Sequence, residues 1–205
     1  MMNLVFNIID KILTLRKKKR IKRNATIIGT GQWFIRTSNA SLSFGSTKND
    51  IIINSNVWLW GTLASQSNGK IIIEENVKIG DNSYIGSVES VIIGKNTVIS
   101  TNVTIMDNNN HPVNPDDRLS YCHLVQTPYR GWKYSNSKPI NIGQNVWIGT
   151  NARINKGVII GDNSIVAANS VVTKDIPPNS IAAGNPAKIV KTNIDSEPRL
   201  IPEII

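Results

Sequence analysis

The residues able to do chemistry crowd into one stretch of this chain. Between Met106 and Pro139 lie both histidines (His111, His123) and the lone cysteine, Cys122. The same stretch holds Asp107, Asp116, Asp117, Arg118, Arg130, Trp132, Tyr121, Tyr129 and Tyr134. Histidine titrates near neutrality and can take up and return a proton at ordinary pH. Cysteine is a nucleophile only when something activates it, and nothing pairs convincingly with Cys122. Two histidines and one cysteine do not make a structural zinc site. One cysteine cannot form an internal disulfide, which suits a reducing compartment. A second set of suggestive residues follows: Trp147, the Thr173-Lys174 turn, and the basic segment from Asn185 to Lys188.

That second set is laid over a regular pattern. Ile142, Ile148, Ile154, Ile160, Val166 and Val172 recur every six residues, which is neither helical nor plain strand periodicity. Three residues after the aliphatic position stands Asn, at 56, 76, 82, 96, 102, 145, 151, 163 and 169, or Gly at 157. The next position is small or β-branched, as in Val57, Ser83, Thr97, Ala152 and Ser170. A tight corner needs a residue that tolerates positive φ, and Asn and Gly do so most cheaply. The residue after the corner points inward, where space is short. Three such faces make a coil of about 18 residues, and stacked coils make a parallel β-helix, an all-β solenoid. Two interruptions break the pattern. Ile85 is followed by Ile93, two residues late, and between Ile105 and Ile142 the hexads vanish. An excursion of that length in a compact solenoid is usually functional.

The chain of 205 residues is long enough for one domain with its own core. Its net charge of +9 invites a nucleic-acid reading, but residues 1–23 hold eight cations against Asp10, leaving +2 for all the rest. The body is near neutral and no DNA-reading motif accompanies the basic segment, so no nucleic-acid partner is expected. In residues 1–23, Leu4, Val5, Ile8, Ile9, Ile12 and Leu13 form a helical stripe ahead of the cations. The segment is too short and polar to span a bilayer and does not read as a signal peptide. An amphipathic helix with a basic cluster suits peripheral contact with an anionic membrane. It equally suits a plug for the open end of the β-helix, and the two are compatible. We divide the chain into the helix (1–23), the β-helix (24–191, with the excursion at 106–139) and a tail (192–205).

Residues 142–191 resemble the signature end of the hexapeptide-repeat, left-handed β-helix acetyltransferases. The likeness rests on Asn145-Val-Trp-Ile-Gly149, Gly157-Val-Ile-Ile-Gly161, Ser170-Val-Val-Thr-Lys-Asp175 and Ala183-Gly-Asn-Pro-Ala-Lys188. The sugar O-acetyltransferases, those for galactosides and maltose and those that decorate capsule, colanic acid and lipopolysaccharide, are the most similar. Asn110-His111-Pro112 stands where these enzymes keep a catalytic histidine. The resemblance implies a left-handed coil, against the usual right-handed crossover. It also implies a homotrimer with sites between neighbouring prisms, and transfer of acetyl from acetyl-CoA to a sugar hydroxyl. His111 would be the base that takes the hydroxyl proton, with an oxyanion held by a backbone N–H. Thr150, Ala168 and Thr173 match positions lining the pantetheine groove, and Trp147 a position near the acetyl end. Lys174, Lys188 and Lys191 match basic positions near the adenosine phosphates, where cations suit the charge.

The acceptor is expected to meet Ser87, Asp107, Trp132 and Tyr134. Ser87 stands in Ile85-Gly-Ser-Val-Glu-Ser90, where galactoside enzymes carry a polar residue, usually Asn. The aromatic rings of the excursion offer flat apolar faces to a pyranose. No metal is expected: a zinc carbonic anhydrase of this fold needs three histidines, and the chain has two. A cytoplasmic enzyme at the inner face of the plasma membrane, working on cell-surface polysaccharide, is the resulting expectation. The alternatives are an N-acetyltransferase of the same fold acting on an amino sugar or antibiotic, and a non-catalytic β-helix.

Overall fold

The structure, a computed structural model, describes residues 2–123 and 131–201, with side chains from residue 12 onward. Tyr129 and Arg130, and the side chains of Leu4, Val5, Ile8 and Ile9, lie outside the described residues.

Each coil lays three short strands at the faces of a prism, and like faces stack into parallel sheets. The first face runs from Thr26–Ile27 to Ile159–Ile160, the second from Trp33–Phe34 to Ile181–Gly184, the third from Asn39–Ser43 to Val171–Val172. Together they form the parallel β-helix expected from the hexads, with the left hand that the resemblance implies. Register follows the aliphatic column: Ile73 lies beside Ile93 and Ile93 beside Ile142 on the first face. Ile85, Ile105 and Ile154 align on the third. These residues are all at most 1% exposed and form one continuous core. Each such side chain contributes about 1.5–3 kcal/mol on burial.

The corners work as the Asn pattern requires. All nine asparagines named above have φ between 54° and 61°, and Gly157 has φ 77°. The asparagines also bond to one another down the stack. Asn56 donates to Asn76 (3.2 Å), Asn76 to Asn96 (3.0 Å), Asn145 to Asn163 (3.0 Å) and Asn163 to Asn179 (2.9 Å). This explains Asn over Gly, since only Asn supplies both the left-handed turn and a side-chain ladder. Inward Ser and Thr are satisfied within the prism: Ser83 Oγ donates to Ser100 O (2.7 Å) and Thr97 Oγ1 to Gly143 O (3.0 Å).

One corner departs from this economy. From the third face to the first, Ile154 to Ile160 takes six residues. The same passage takes eight from Ile85 to Ile93, ten from Leu63 to Ile73 and thirteen from Ala40 to Ile53. In the next coil it takes the whole excursion, from Ile105 to Ile142. Four successive coils are thus lengthened at one edge of the prism, two more than the hexad count alone disclosed.

Helix α1 (Met2–Asn24) has apolar residues in its first half and cations in its second, so polarity changes along its axis as well as around it. Lys22 and Arg23 sit in the last turn, complementing the negative end of the helix dipole. Ile21 is fully buried, joins Ala25 in the main core, and Asn24 Nδ2 donates to Ala40 O (2.8 Å). The helix therefore closes the open end of the first coil, one of its two expected roles. Among the described residues no helix is long and apolar enough to cross a membrane.

Candidate active site

The turn bearing His111 is nailed to the prism by a buried carboxylate. Asp107 follows the strand Thr104–Met106 and is 0% exposed. Its oxygens accept from Ser87 Oγ (2.7 Å), Val88 N (3.0 Å), Glu89 N (2.8 Å) and Asn108 Nδ2 (3.0 Å). Its own carbonyl accepts from Lys138 N (2.8 Å), so it clasps both ends of the excursion. Asn108, also buried, accepts from Asn110 N (2.8 Å) and from Ser135 Oγ (3.4 Å). Asn110 takes φ 68° and turns His111 out to solvent. The histidine is thus exposed, while the turn beneath it is held by a buried network.

This corrects two expectations. Ser87 and Asp107 do not face a substrate: both are fully buried and spend their polar atoms on each other and on the two-residue insertion at Val88–Glu89. Their part is to position.

The excursion is more ordered than its lack of hexads suggests. Asn114 caps a helix α2 (Pro115–His123), its Oδ1 accepting from Asp116 N (2.8 Å) and Asp117 N (3.2 Å). Asn followed by Pro and two acids is a helix start, a signal available in the sequence and overlooked there. The helix brings Tyr121 back edge-on to His111, ring centres 5.2 Å apart at 88°. Cys122 and His123 end exposed at its last turn. On the return, Trp132 departs from expectation. It is 9% exposed, edge-on to Tyr84 at 6.2 Å, and packed with Ala64 and Met106. A Cβ at Gly86 would come within 2.9 Å of its ring, so that glycine makes room for it. Trp132 anchors the excursion instead of offering a face to a ligand. Tyr134 is 42% exposed, with Lys133 Nζ 5.9 Å from its ring centre.

Comparison with known proteins bears on the coils first. The bacterial transferase hexapeptide model (six repeats) matches residues 139–174, and the hexapeptide repeat of succinyl-transferase matches residues 70–106. Both stretches are similar to hexapeptide repeats. A putative lipopolysaccharide biosynthesis O-acetyl transferase of Escherichia coli is 39% identical over 123 residues, 60% of this chain and 61% of its own. Galactoside O-acetyltransferase of Escherichia coli is 39% identical over 139 residues, 68% of this chain and 62% of its own. The chain thus spans about three fifths of the length of these relatives. Among solved structures, a polySia-specific acetyltransferase matches at TM-score 0.50 and 28% identity, covering 82% of this chain and 86% of that one. An N-acyltransferase from Bacillus cereus matches at TM-score 0.64 and 17% identity, covering 86% and 88%, a likeness of fold.

Within the hexapeptide repeat, the expected donor-binding residues fall on different edges. Trp147 is 53% exposed on the second face, its Nε1 3.4 Å from Ser100 Oγ. Thr150 and Ala168 stack on consecutive coils between the second and third faces, joined by Asn169 N to Thr150 O (2.9 Å). Thr173 and Lys174, both exposed, sit between the third and first faces, the edge that also carries His111. Lys188 and Lys191 lie on Ala187–Lys191, an antiparallel strand closing the second face. Lys188 is exposed, and Lys191 is paired with Glu197 at 2.6 Å. A single chain therefore presents the expected donor residues on two corners and on the second face, and does not gather them into a single groove. Among the described residues no three His, Cys, Asp or Glu side chains converge as metal ligands.

Proposed function

We propose that this protein transfers acetyl from acetyl-CoA to a hydroxyl of a sugar, in the synthesis of capsule or another cell-surface polysaccharide. The observation that carries the reading is an exposed histidine on a turn fixed by a buried carboxylate, in a chain 39% identical over 123 and 139 residues to a putative lipopolysaccharide biosynthesis O-acetyl transferase and to galactoside O-acetyltransferase. A sugar hydroxyl is a weak nucleophile near neutral pH. His111 takes its proton as the oxygen attacks the thioester carbon, and returns the proton to the departing thiolate. Tyr121, edge-on, limits the freedom of the imidazole.

The donor substrate fits residues this structure presents. Thr150 and Ala168 offer a low, small-residue corner for a thin arm, and exposed Lys174 and Lys188 offer charge for phosphates. The division of these residues between two corners favours a homotrimer, in which one corner of each prism meets the other corner of its neighbour. The polySia-specific and galactoside enzymes among its relatives act on sugars as their names state, and this supports a glycan acceptor.

Thiol release from acetyl-CoA in the presence of sugar acceptors tests the activity. Release stimulated by a hydroxylated sugar, with ester product in the mass spectrum, is the expected result. Acetylation solely of amino sugars or antibiotics would replace the reading with N-acetyl transfer. Light scattering tests the trimer: an active monomer overturns the shared site. We further infer peripheral attachment to an anionic membrane through α1. Truncating α1 would remove Ile21 and uncover the core it closes, so the cleaner variant replaces exposed Lys18, Lys19 and Lys22 by Gln. Binding to vesicles of anionic lipid at low salt should fall about tenfold or more, since each cation near such a surface is worth about 1 kcal/mol. Equal binding by both proteins would leave α1 as an end-cap alone.

A further inference from the structure

The four lengthened passages between the third and first faces do not merely share an edge; they line one cleft of about 310 Å3. Phe44 comes from the first, Ser67 and Asn68 from the second, Glu89 from the third, and Lys133 and Ser137 from the excursion. A β-helix closes its coil at this corner in six residues, so none of this material is needed to complete the fold.

The cleft is also where backbone strain collects. Phe44 has φ 51°, Ser67 φ 53° and Asn68 φ 66°. A left-handed conformation is uncommon for a bulky residue and costs on the order of 1 kcal/mol or more. Strain persists only where the surroundings impose it, and it points toward function. What it achieves here is display. Phe44 stays 45% exposed, while one side of its ring lies against Gly131, where a Cβ would stand 3.3 Å from the ring atoms.

The polar groups are placed as firmly. The backbone of Glu89 is held by buried Asp107 (2.8 Å), and its carboxylate accepts from Ser137 Oγ. Asn68 is held through its own N–H by Ser46 Oγ (3.0 Å). An apolar ring face, a carboxylate, an ammonium, an amide and a hydroxyl around one concavity form a set for ligands that carry both C–H faces and hydroxyls.

We propose that this cleft binds a pyranose unit of the acceptor, its C–H face on Phe44 and its hydroxyls on Glu89, Asn68 and Lys133. The proposal rests on the sugar acetyl-transfer reading above. It places acceptor selection in the stacked insertions, whereas the residue types alone point to Ser87, Asp107, Trp132 and Tyr134. Asp107 joins this cleft to the candidate base. Its carboxylate fixes the Val88–Glu89 backbone, and its neighbour Asn108 fixes the turn of His111.

Two variants and two readouts test it. Glu89→Gln keeps an acceptor for Ser137 but removes the charge. Phe44→Asn removes the ring but keeps a residue at ease with positive φ, so the fold is not put at risk. The probes are methyl β-galactoside, maltose and a sialic acid trimer. Saturation-transfer NMR without acetyl-CoA reads binding, and acetyl transfer to the same sugars reads turnover. The expected result is saturation of ring protons of at least one sugar by the native protein, lost in Phe44→Asn. Acceptor KM should rise about tenfold in Glu89→Gln, with kcat and the KM for acetyl-CoA unchanged. Unchanged acceptor KM and unchanged saturation in both variants would overturn the cleft while leaving the transfer reading intact. Saturation that depends on Phe44 without any acetyl transfer would support the cleft and overturn the transfer reading. A native protein that neither binds nor acetylates any of the three sugars overturns both.

Discussion

Two stretches of the same solenoid treat the same corner in opposite ways. After Ile140 the passage from third face to first is cut to the six residues the repeat allows, and the prism is bare. Before it, four coils running each carry extra chain at that edge. Both halves keep the aliphatic core, with Ile53, Ile93, Ile142 and Ile160 at most 1% exposed. The difference teaches that the rungs do not depend on what happens between them. A corner is exposed and bonded to the coils above and below, so added residues cost a loop closure, which grows slowly with length. The bare half carries most of the expected donor-binding residues. The elaborated half carries the histidine, its buried support and the strained cleft.

If that division is functional, damage should sort by region. The largest effect is expected at the elaborated edge: His111→Ala should lower kcat by about 10²–10⁴-fold. Acetyl-CoA binding, which the proposal assigns to the bare half, should be retained by calorimetric titration. Near-native turnover in this variant would remove His111 from the reaction. Next comes Asp107→Ala, which strands the part-buried N–H groups of Val88 and Glu89 and the hydroxyl of Ser87. A loss of about 2–4 kcal/mol in urea unfolding is expected, together with reduced kcat. Full activity at lowered stability would confine Asp107 to holding the fold.

A test in the bare half follows. Asn163 has φ 60° and bonds to Asn145 and Asn179. Asn163→Ala should cost about 1–2 kcal/mol, the left-handed cost plus the ladder, and leave acceptor KM untouched. Asn163→Gly keeps the turn and should cost roughly half as much. Equal losses would show that the ladder, and not the turn, makes Asn the corner residue.

The smallest effect concerns acid. Burial pushes the Asp50 carboxyl up, but hydrogen bonds from Lys70 and Thr47 and the Lys70 charge outweigh it, holding the group below its ordinary value of 3.8. A carboxyl depressed in the folded state adds stability above its unfolded pKa, and that stability is lost as pH falls through the folded value. Lys70→Met should therefore raise the pH at which acid unfolding begins, readable by circular dichroism between pH 5 and 2. An unchanged acid midpoint would show that Lys70 does not set the Asp50 charge.

The sequence was legible where structure is local. A hexad needs only its own six residues to declare a face, a left-handed corner and a small inward residue, so the coils from Ile73 onward are plain in the residue types. The insertions at 44–50 and 67–69 were missed because the hexads before Ile73 are themselves out of step, with no regular column against which to count extra residues. Asp107 was misassigned for a different reason. What it meets, the N–H groups of Val88 and Glu89, lies one whole coil away and belongs to the backbone, which leaves no mark in residue types. Trp132 failed likewise, since its resting place is made by the missing side chain of Gly86. Helix α2 is legible in Asn114-Pro115-Asp116-Asp117, a local helix start that the lack of hexads in the excursion obscures.

A solenoid has no natural length. Every rung is a template for another, and its first and last rungs end in rows of unpaired N–H and C=O groups that would accept a rung from a second molecule. Helix α1 answers this at one end by adding Ile21, with Ala25 just after it, to the core at the mouth of the prism. Ala187–Lys191 answers it at the other by turning antiparallel along the second face. The two together terminate a structure that could otherwise grow end to end into a fibre, and so make the repeat a molecule of finite size.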